Sequence, residues 1–279
     1  MKTDWERCTR REKCTGAALT PGGSCLAHLN RDRELTAVLR SLGDAGLDAR
    51  GVEFDELLLT AVVAAAPRTA EERPLLLRCD FTHARFPERA RFDEVEFGRE
   101  TRFDGATFGS RTSFAGASFG ERTSFRRATF GGSTRFDRCV FGNRVSFANA
   151  RFGDGARFEG SRFGDGTTLA DTVWGSDTSF AGAAFGARMR ADRATFVDRA
   201  LFRNTLFGSE ATGSTHRALT GEGRARLPRI EPSQVRSPPS KPNSRPPGRS
   251  RLTGIRWWVC QKRNGILAGS SPVHRAAGH

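Results

Sequence analysis

Cys8, Cys14, Cys25 and His28 fall in the pattern C-x5-C-x10-C-x2-H near the start of the 279-residue chain. Three thiols and an imidazole are the donor set that zinc takes in closed, four-coordinate sites, and the C-x2-H half has the spacing of a zinc knuckle. So short a segment carries little apolar material, so a bound ion would supply its folding energy. All four positions of such an ion are filled by protein, which makes Zn2+ here structural and not catalytic. Unliganded thiols are the alternative. A disulfide is a third reading, disfavoured because MKTDWERCTRREKC lacks the apolar middle of a secretory signal. Of the remaining cysteines, Cys79 and Cys139 fall at small inward positions of the repeat described below, and Cys260 lies near the C-terminus.

No catalytic constellation accompanies this cluster. The five histidines are His28, His83, His216, His274 and His279, and His83 has no nucleophile or acid close to it in sequence. The glycines recur on a fixed beat instead of clustering into a phosphate loop before a helix. A non-enzymatic protein is therefore expected. The clearer signal is charge. Residues 111–144 hold seven arginines, Arg111, Arg122, Arg126, Arg127, Arg135, Arg138 and Arg144, against Glu121 and Asp137. They are the candidate partner-binding residues, forming a basic band for an acidic protein or a nucleic acid. The bland alternative is a solvated arginine surface.

What positions these groups is a repeat, and the period has to be found before secondary structure is assigned. From Phe81 to Phe207 large residues recur at alternating steps of five and six, which defines 24 positions, 21 of them Phe; Leu169, Trp174 and Ala191 fill the others. Two residues before each stands a small or short-branched side chain, as in Ala106 before Phe108 and Thr112 before Phe114. Where the large position shrinks to Ala191, the small one grows to Met189, a volume exchange expected of a packed interior. Spacing by two puts both members of a pair on one face of extended backbone, and steps of five and six build no stripe on a helix. From Phe97 onward, Gly follows the second large residue of each unit in ten of eleven cases, Val197 being the exception. Its tolerance of positive φ and bulged corners is the expected reason that it marks the longer step.

The tandem F-x-x-A-x-F-G-x-x-T-x units of residues 81–207 resemble the pentapeptide-repeat family. The resemblance implies an all-β, right-handed quadrilateral β-solenoid with four short units, here about 22 residues, per coil. Six coils at ~4.8 Å make a rod roughly 29 Å long, its rings forming the axial core. Two departures stand out: the residue before each central ring is mostly Ser, Thr or Arg instead of Asp or Asn, and alternate units are one residue longer. The family implies a scaffold whose flat faces bind a macromolecular partner, with a protein expected. Some relatives are implied to imitate acidic DNA toward gyrase, which the net positive charge of this repeat disfavours. The second reading is a nucleic-acid-associated protein using the Arg band and the basic tail; an undetected enzyme comes third.

A solenoid exposes unpaired edges at both ends, so both must be covered. Leu35, Val38, Leu39 and Leu42 fall at helical spacing, with Asn30 to cap and Gly43 to stop the helix, and a second helix is expected over 55–66, before Pro67. Between them Val52 and Phe54 repeat the small-large spacing and suggest an incipient coil. The expected organisation is a zinc knuckle over 1–29, a helical cap over 30–77, the solenoid over 78–208 and a disordered basic tail over 209–279. That tail holds 13 basic and 3 acidic residues of a chain with net charge +14, and its seven prolines between 228 and 247 cannot build a core. Trp257 and Trp258 suit a segment that docks on the last coil, and an unstructured tail is the alternative. No run reaches the ~18 apolar residues of a membrane-spanning helix, so a cytoplasmic protein with no membrane partner is the expectation.

Overall fold

The computed structural model describes residues 5–19, 23–29, 33–41 and 46–212. From residue 79 onward the chain climbs as a parallel β-solenoid, each residue lying below the one 22 positions later: Phe86 pairs with Phe108, Phe108 with Phe130, and Phe97 with Phe119. Four ladders make four faces. Face one is a column of bridges from Asp80 through Arg102, Ser124, Ser146, Thr168 and Arg190 to Thr212. Face two is a six-stranded sheet from Arg85–Phe86 to Thr195–Phe196. Face three runs from Arg91 through Ser113, Arg135 and Arg157 to Ser179 and on to Leu201. Face four is a seven-stranded sheet from Leu75–Leu76 to Leu206–Phe207. The 22-residue coil is the one that the five-and-six beat sets.

The rings point inward and form four columns. On face three, Phe114 and Phe136 stack at 4.6 Å and Phe136 and Phe158 at 4.7 Å, with interplanar angles of 6° and 8°. Neighbouring columns meet edge to face, as Phe108 does with Phe114 at 5.4 Å and 74°. Both arrangements suit the ring quadrupole. Trp174 continues the face-two column 4.1 Å above Phe152, and its indole N–H donates to Thr172 Oγ1 at 2.8 Å, so its polar edge is satisfied within the core. Met189 and Ala191 are both buried, in keeping with the volume exchange.

The corners correct the dihedral reason given for the repeated glycines. Left-handed residues do mark nearly every corner, but none of them is one of these glycines: Arg111, Arg122, Arg127, Arg138 and Arg144, for example, have φ between 56° and 61°. The beat glycines are absent from the positive-φ set. What they do is admit the coil beneath: a Cβ on Gly120 would stand 2.5 Å from the Arg99 amide nitrogen, and one on Gly109 2.4 Å from that of Glu88. The threonine three residues on has a matching reason. Thr123 Oγ1 donates to the Gly120 carbonyl at 2.8 Å and Thr134 Oγ1 to that of Gly131 at 2.7 Å, so an inward hydroxyl closes the longer corner without leaving a buried polar atom orphaned.

Stacking also extends below the periodic segment. Leu47–Asp48 pairs with Cys79–Asp80, Glu53 with Arg85, and Leu75–Leu76 with Glu96–Phe97; Phe54 stacks on Phe86 at 4.8 Å. Val52 and Phe54 thus belong to a preceding coil. Its third side is replaced by helix α2, Glu56–Ala65, whose N-cap Asp55 accepts from the Leu58 amide at 2.7 Å. The shorter helix α1, Glu34–Arg40, buries Leu35 and half-buries Val38 and Leu39. Asn30, Leu42 and Gly43 lie outside the described residues, as does everything after Thr212, including the tail with Trp257 and Trp258. No helix among the described residues is long and apolar enough to cross a membrane.

Candidate functional site

The N-terminal segment is a hairpin followed by a turn of 3-10 helix. Arg7 and Ala17 pair antiparallel, the Cys8 amide donates to the Gly16 carbonyl at 2.8 Å, and Cys14 sits in the turn. The 3-10 turn, Leu26–His28, begins directly after Cys25, and the His28 amide donates to the Cys25 carbonyl at 2.9 Å, which folds the C-x2-H pair onto one side. The four ligand atoms come within 4.8 Å of one another. Cys14 Sγ lies 3.7 Å from Cys25 Sγ, and His28 Nδ1 lies 3.4 Å from Cys25 Sγ and 3.2 Å from Cys8 Sγ. A tetrahedron with metal–sulfur bonds of ~2.3 Å and a metal–nitrogen bond of ~2.0 Å has edges of about 3.5–3.8 Å. Three of the six separations lie close to those edges and all fall within 4.8 Å, so the cluster could hold a metal ion, and residues far apart in sequence converge to form it.

Electrostatics point the same way. Burial pushes the Cys25 thiol up to about 12, reinforced by the adjacent Cys14, and burial likewise raises Cys14. At Cys8 burial also raises the thiol, but hydrogen bonds from the Cys25 and Arg10 backbone and from His28 outweigh it and bring it down to about 6. Three crowded thiols cannot all ionise without a cation between them. Cys79 and Cys139, by contrast, are core residues: burial raises both thiols, and Cys139 Sγ donates to the Phe114 carbonyl at 3.0 Å.

This module is tied to the first coil. The Ala17 amide donates to the Arg50 carbonyl at 2.7 Å, and Thr15 Oγ1 to that of Gly51 at 2.8 Å. Trp5 lies under the Arg50 guanidinium at 5.3 Å and against the His83 ring at 6.1 Å. His83 thus serves a packing contact.

The seven arginines of 111–144 spread around the whole circumference. Arg126 and Arg127 stand at the corner between faces one and two, Arg111 between two and three, Arg138 between three and four, and Arg122 and Arg144 one above the other between four and one; Arg135 is on face three. Three of them are neutralised: Arg111 by Glu88 at 3.8 Å, Arg122 by Glu100 at 2.8 Å, and Arg135 by Asp137 at 3.1 Å. Asp137 also approaches Arg157 at 3.7 Å, and Arg157 donates to Glu159 at 2.7 Å, so face three balances its own charge. Burial tends to raise Glu159, but hydrogen bonds from Arg157 and Ser179 with the charges of Arg157 and Arg203 hold its carboxyl below the usual value. Among the described residues Arg126, Arg127, Arg138 and Arg144 make no ion pair.

Among the concavities of the described residues, one of about 590 Å³ separates α2 from face three; of its arginines, Arg91 and Arg111 are held by Asp93 and Glu88. Another, about 280 Å³, opens on face two between Arg127, Thr129, Asn149, Arg151, Asp171 and Val173. Arg151 lies outside the 111–144 window. The 22-residue register would have found it, since it stands directly above Thr129, as Asn149 does above Arg127.

Comparison with known proteins gives one family: pentapeptide repeats (9 copies), matching residues 81–129 and 125–173. No curated protein matches the chain. Among solved structures, a pentapeptide repeat protein from the cyanobacterium Cyanothece is 10% identical over 50% of this chain and 87% of that one, with a TM-score of 0.20.

Proposed function

Because residues 81–173 of this chain are pentapeptide repeats, we propose that it is a non-enzymatic scaffold whose flat solenoid faces bind a macromolecular partner, a protein in the first instance. The observation that carries this reading is the filled interior. From Phe81 to Phe207 nearly every ring is buried against rings above, below and beside it, so recognition falls to the outward columns. Those columns stand on backbone hydrogen-bonded from coil to coil, a rigid base that spares a partner the entropy of ordering the surface it meets. We further propose that the ion held by Cys8, Cys14, Cys25 and His28 is Zn2+, for which three thiols and an imidazole are a usual closed donor set, and that it fixes the module covering the edge of the first coil.

A photo-crosslinking residue placed singly at Ser124, Thr129, Leu201 or Val140, one on each face, tests the scaffold reading in the cell. Adducts with a macromolecule confined to one or two faces support it. Adducts from none of the four would overturn it.

A further inference from the structure

One column of the solenoid holds both an arginine with a carboxylate and an arginine without one. Going up the corner between faces one and two, it reads His83, Gly105, Arg127, Asn149, Asp171, Arg193. At its top, Arg193 grips the carboxylate one coil below through two bonds, Nε to Asp171 Oδ1 at 2.5 Å and a terminal nitrogen to Oδ2 at 2.6 Å. This is the two-pronged geometry in which guanidinium and carboxylate match best. Arg127 occupies the same position three coils lower with Gly105 beneath it and Asn149 above, so the column offers it no acid. Its side chain is exposed, makes no ion pair among the described residues, and lines the face-two groove together with Thr129, Asn149 and Arg151. Arg151 makes none either. The carboxylate in the groove, Asp171, is already taken by Arg193. From Arg85 to Thr195 the outward column of face two reads Arg85, Thr107, Thr129, Arg151, Val173, Thr195, without one acidic residue.

Resting on the scaffold reading above, we propose that the face-two groove is the docking point for an acidic protein segment, whose carboxylates Arg127 and Arg151 receive as Arg193 receives Asp171, with Thr129 and Asn149 offering further hydrogen bonds. A continuous polyanion suits the surface less well. A nucleic-acid backbone laid along the rod would meet Asp104 beside the groove on one corner and exposed Asp154 on the other, whereas a segment bringing one or two carboxylates into the groove avoids both.

The test uses the full chain and poly-L-glutamate as probe, with a DNA duplex in parallel, at physiological salt. Arg127→Gln with Arg151→Gln is compared with Arg138→Gln plus Arg162→Gln, which removes the same charge from two other exposed arginines, at the corner of faces three and four and on face four. The groove pair should weaken poly-glutamate binding roughly tenfold or more, because hydrogen-bonded charges are lost there, and the control pair by less than about twofold. Lysine at both groove positions, which keeps the charge and loses the fork, should recover only part of the affinity. Equal losses from the two pairs, full recovery with lysine, or a larger loss toward DNA than toward poly-glutamate would each overturn the proposal. Face-confined crosslinks away from face two would also defeat it while leaving the scaffold reading intact. Crosslinks from no face, with the poly-glutamate result as expected, would defeat the scaffold reading alone.

Discussion

Gly120→Ala and Gly160→Ala separate the two reasons a solenoid can need glycine. Gly120 has no positive φ, yet a Cβ there would stand 2.5 Å from the Arg99 nitrogen, 2.6 Å from the Gly98 carbonyl carbon and 2.8 Å from the Arg99 Cα, all backbone atoms. Ordinary carbon contacts begin near ~3.5 Å, so the two coils must part by about 1 Å at that corner. The amide that suffers is Gly120 N–H, which donates to the Phe97 carbonyl at 2.9 Å. Overpacking at ~1–3 kcal/mol and a weakened, buried hydrogen bond at ~1–3 kcal/mol together predict a loss of about 3 kcal/mol. Gly160 is the opposite case: its φ is +66°, but the nearest atom to an added Cβ is Arg138 Cγ at 3.8 Å. Only the left-handed dihedral is then taxed, at about 1 kcal/mol, and Arg138 one coil below already adopts it at φ 56°. Urea unfolding followed by far-ultraviolet circular dichroism gives both numbers on the same chain. If Gly160→Ala costs as much as Gly120→Ala, or Gly120→Ala costs under ~1 kcal/mol, close coil approach is not what the beat glycine serves.

Three further outcomes follow from the same coordinates. Phe136→Ala removes a ring stacked on both sides, at 4.6 and 4.7 Å, and should cost ~3–5 kcal/mol, whereas Phe207→Ala, stacked only on Phe185 at 5.4 Å, should cost less than half as much in the same titration. Metal analysis of the purified chain should find one zinc per molecule; Cys25→Ser should abolish it and speed hydrogen exchange at the Ala17 amide, which donates to Arg50, and a wild-type chain without zinc would count against the donor cluster as a metal site. Glu159 has a folded-state pKa held below the usual carboxylate value, so its stabilisation is present above the unfolded pKa and disappears as pH falls through the folded one. Glu159→Gln should flatten that part of the acid stability profile, and an unchanged profile would show that the Arg157–Glu159 contact contributes nothing.

How far the sequence could be read follows from where its period holds. The rings and the small residues two before them declare the coil, because each is forced inward by alternation along extended backbone and each recurs in register with the last. The coil containing Val52 and Phe54 shows in the sequence only as that one small-large pair, because α2 takes the place of one face: the interval from Phe54 to Phe86 is 32 residues, not 22, and the beat fails although the stacking continues at 4.8 Å. The metal cluster was visible as four potential ligands, three Cys and one His, but only the hairpin and the 3-10 turn show that the uneven C-x5-C-x10-C spacing closes to 3.7 Å between Cys14 and Cys25. The corner glycines were legible as a pattern, while their cause was not, since it lies in backbone 22 residues away.

Charge is where linear reading misleads most, and the reason bears on function. Counting arginines in the window 111–144 treats neighbours in sequence as neighbours in space, but in a 22-residue coil that window winds one and a half times around the rod and deals its arginines to every side. Partners lie either two residues along the same side, as Asp137 does from Arg135, or one coil away: Arg122 finds Glu100 and Arg193 finds Asp171, each at a separation of 22 residues. Once the charges are sorted by column, Arg111, Arg122 and Arg135 lose their claim as free cations, and Arg151, outside the window, joins Arg127. A surface of this kind is edited one column at a time without disturbing the core. Placing a carboxylate under Arg127, by Gly105→Asp, carries that logic to its end. It would rebuild internally the clamp that Arg193 makes and should lower affinity for acidic polypeptides while the ring columns stay as they are. The left-handed φ of +65° at Gly105 suits Asp better than most residues, but an added Cβ would stand 2.6 Å from the His83 ring, which must swing aside. Unchanged poly-glutamate binding by a folded Gly105→Asp chain would mean that Arg127 was never waiting for an acid.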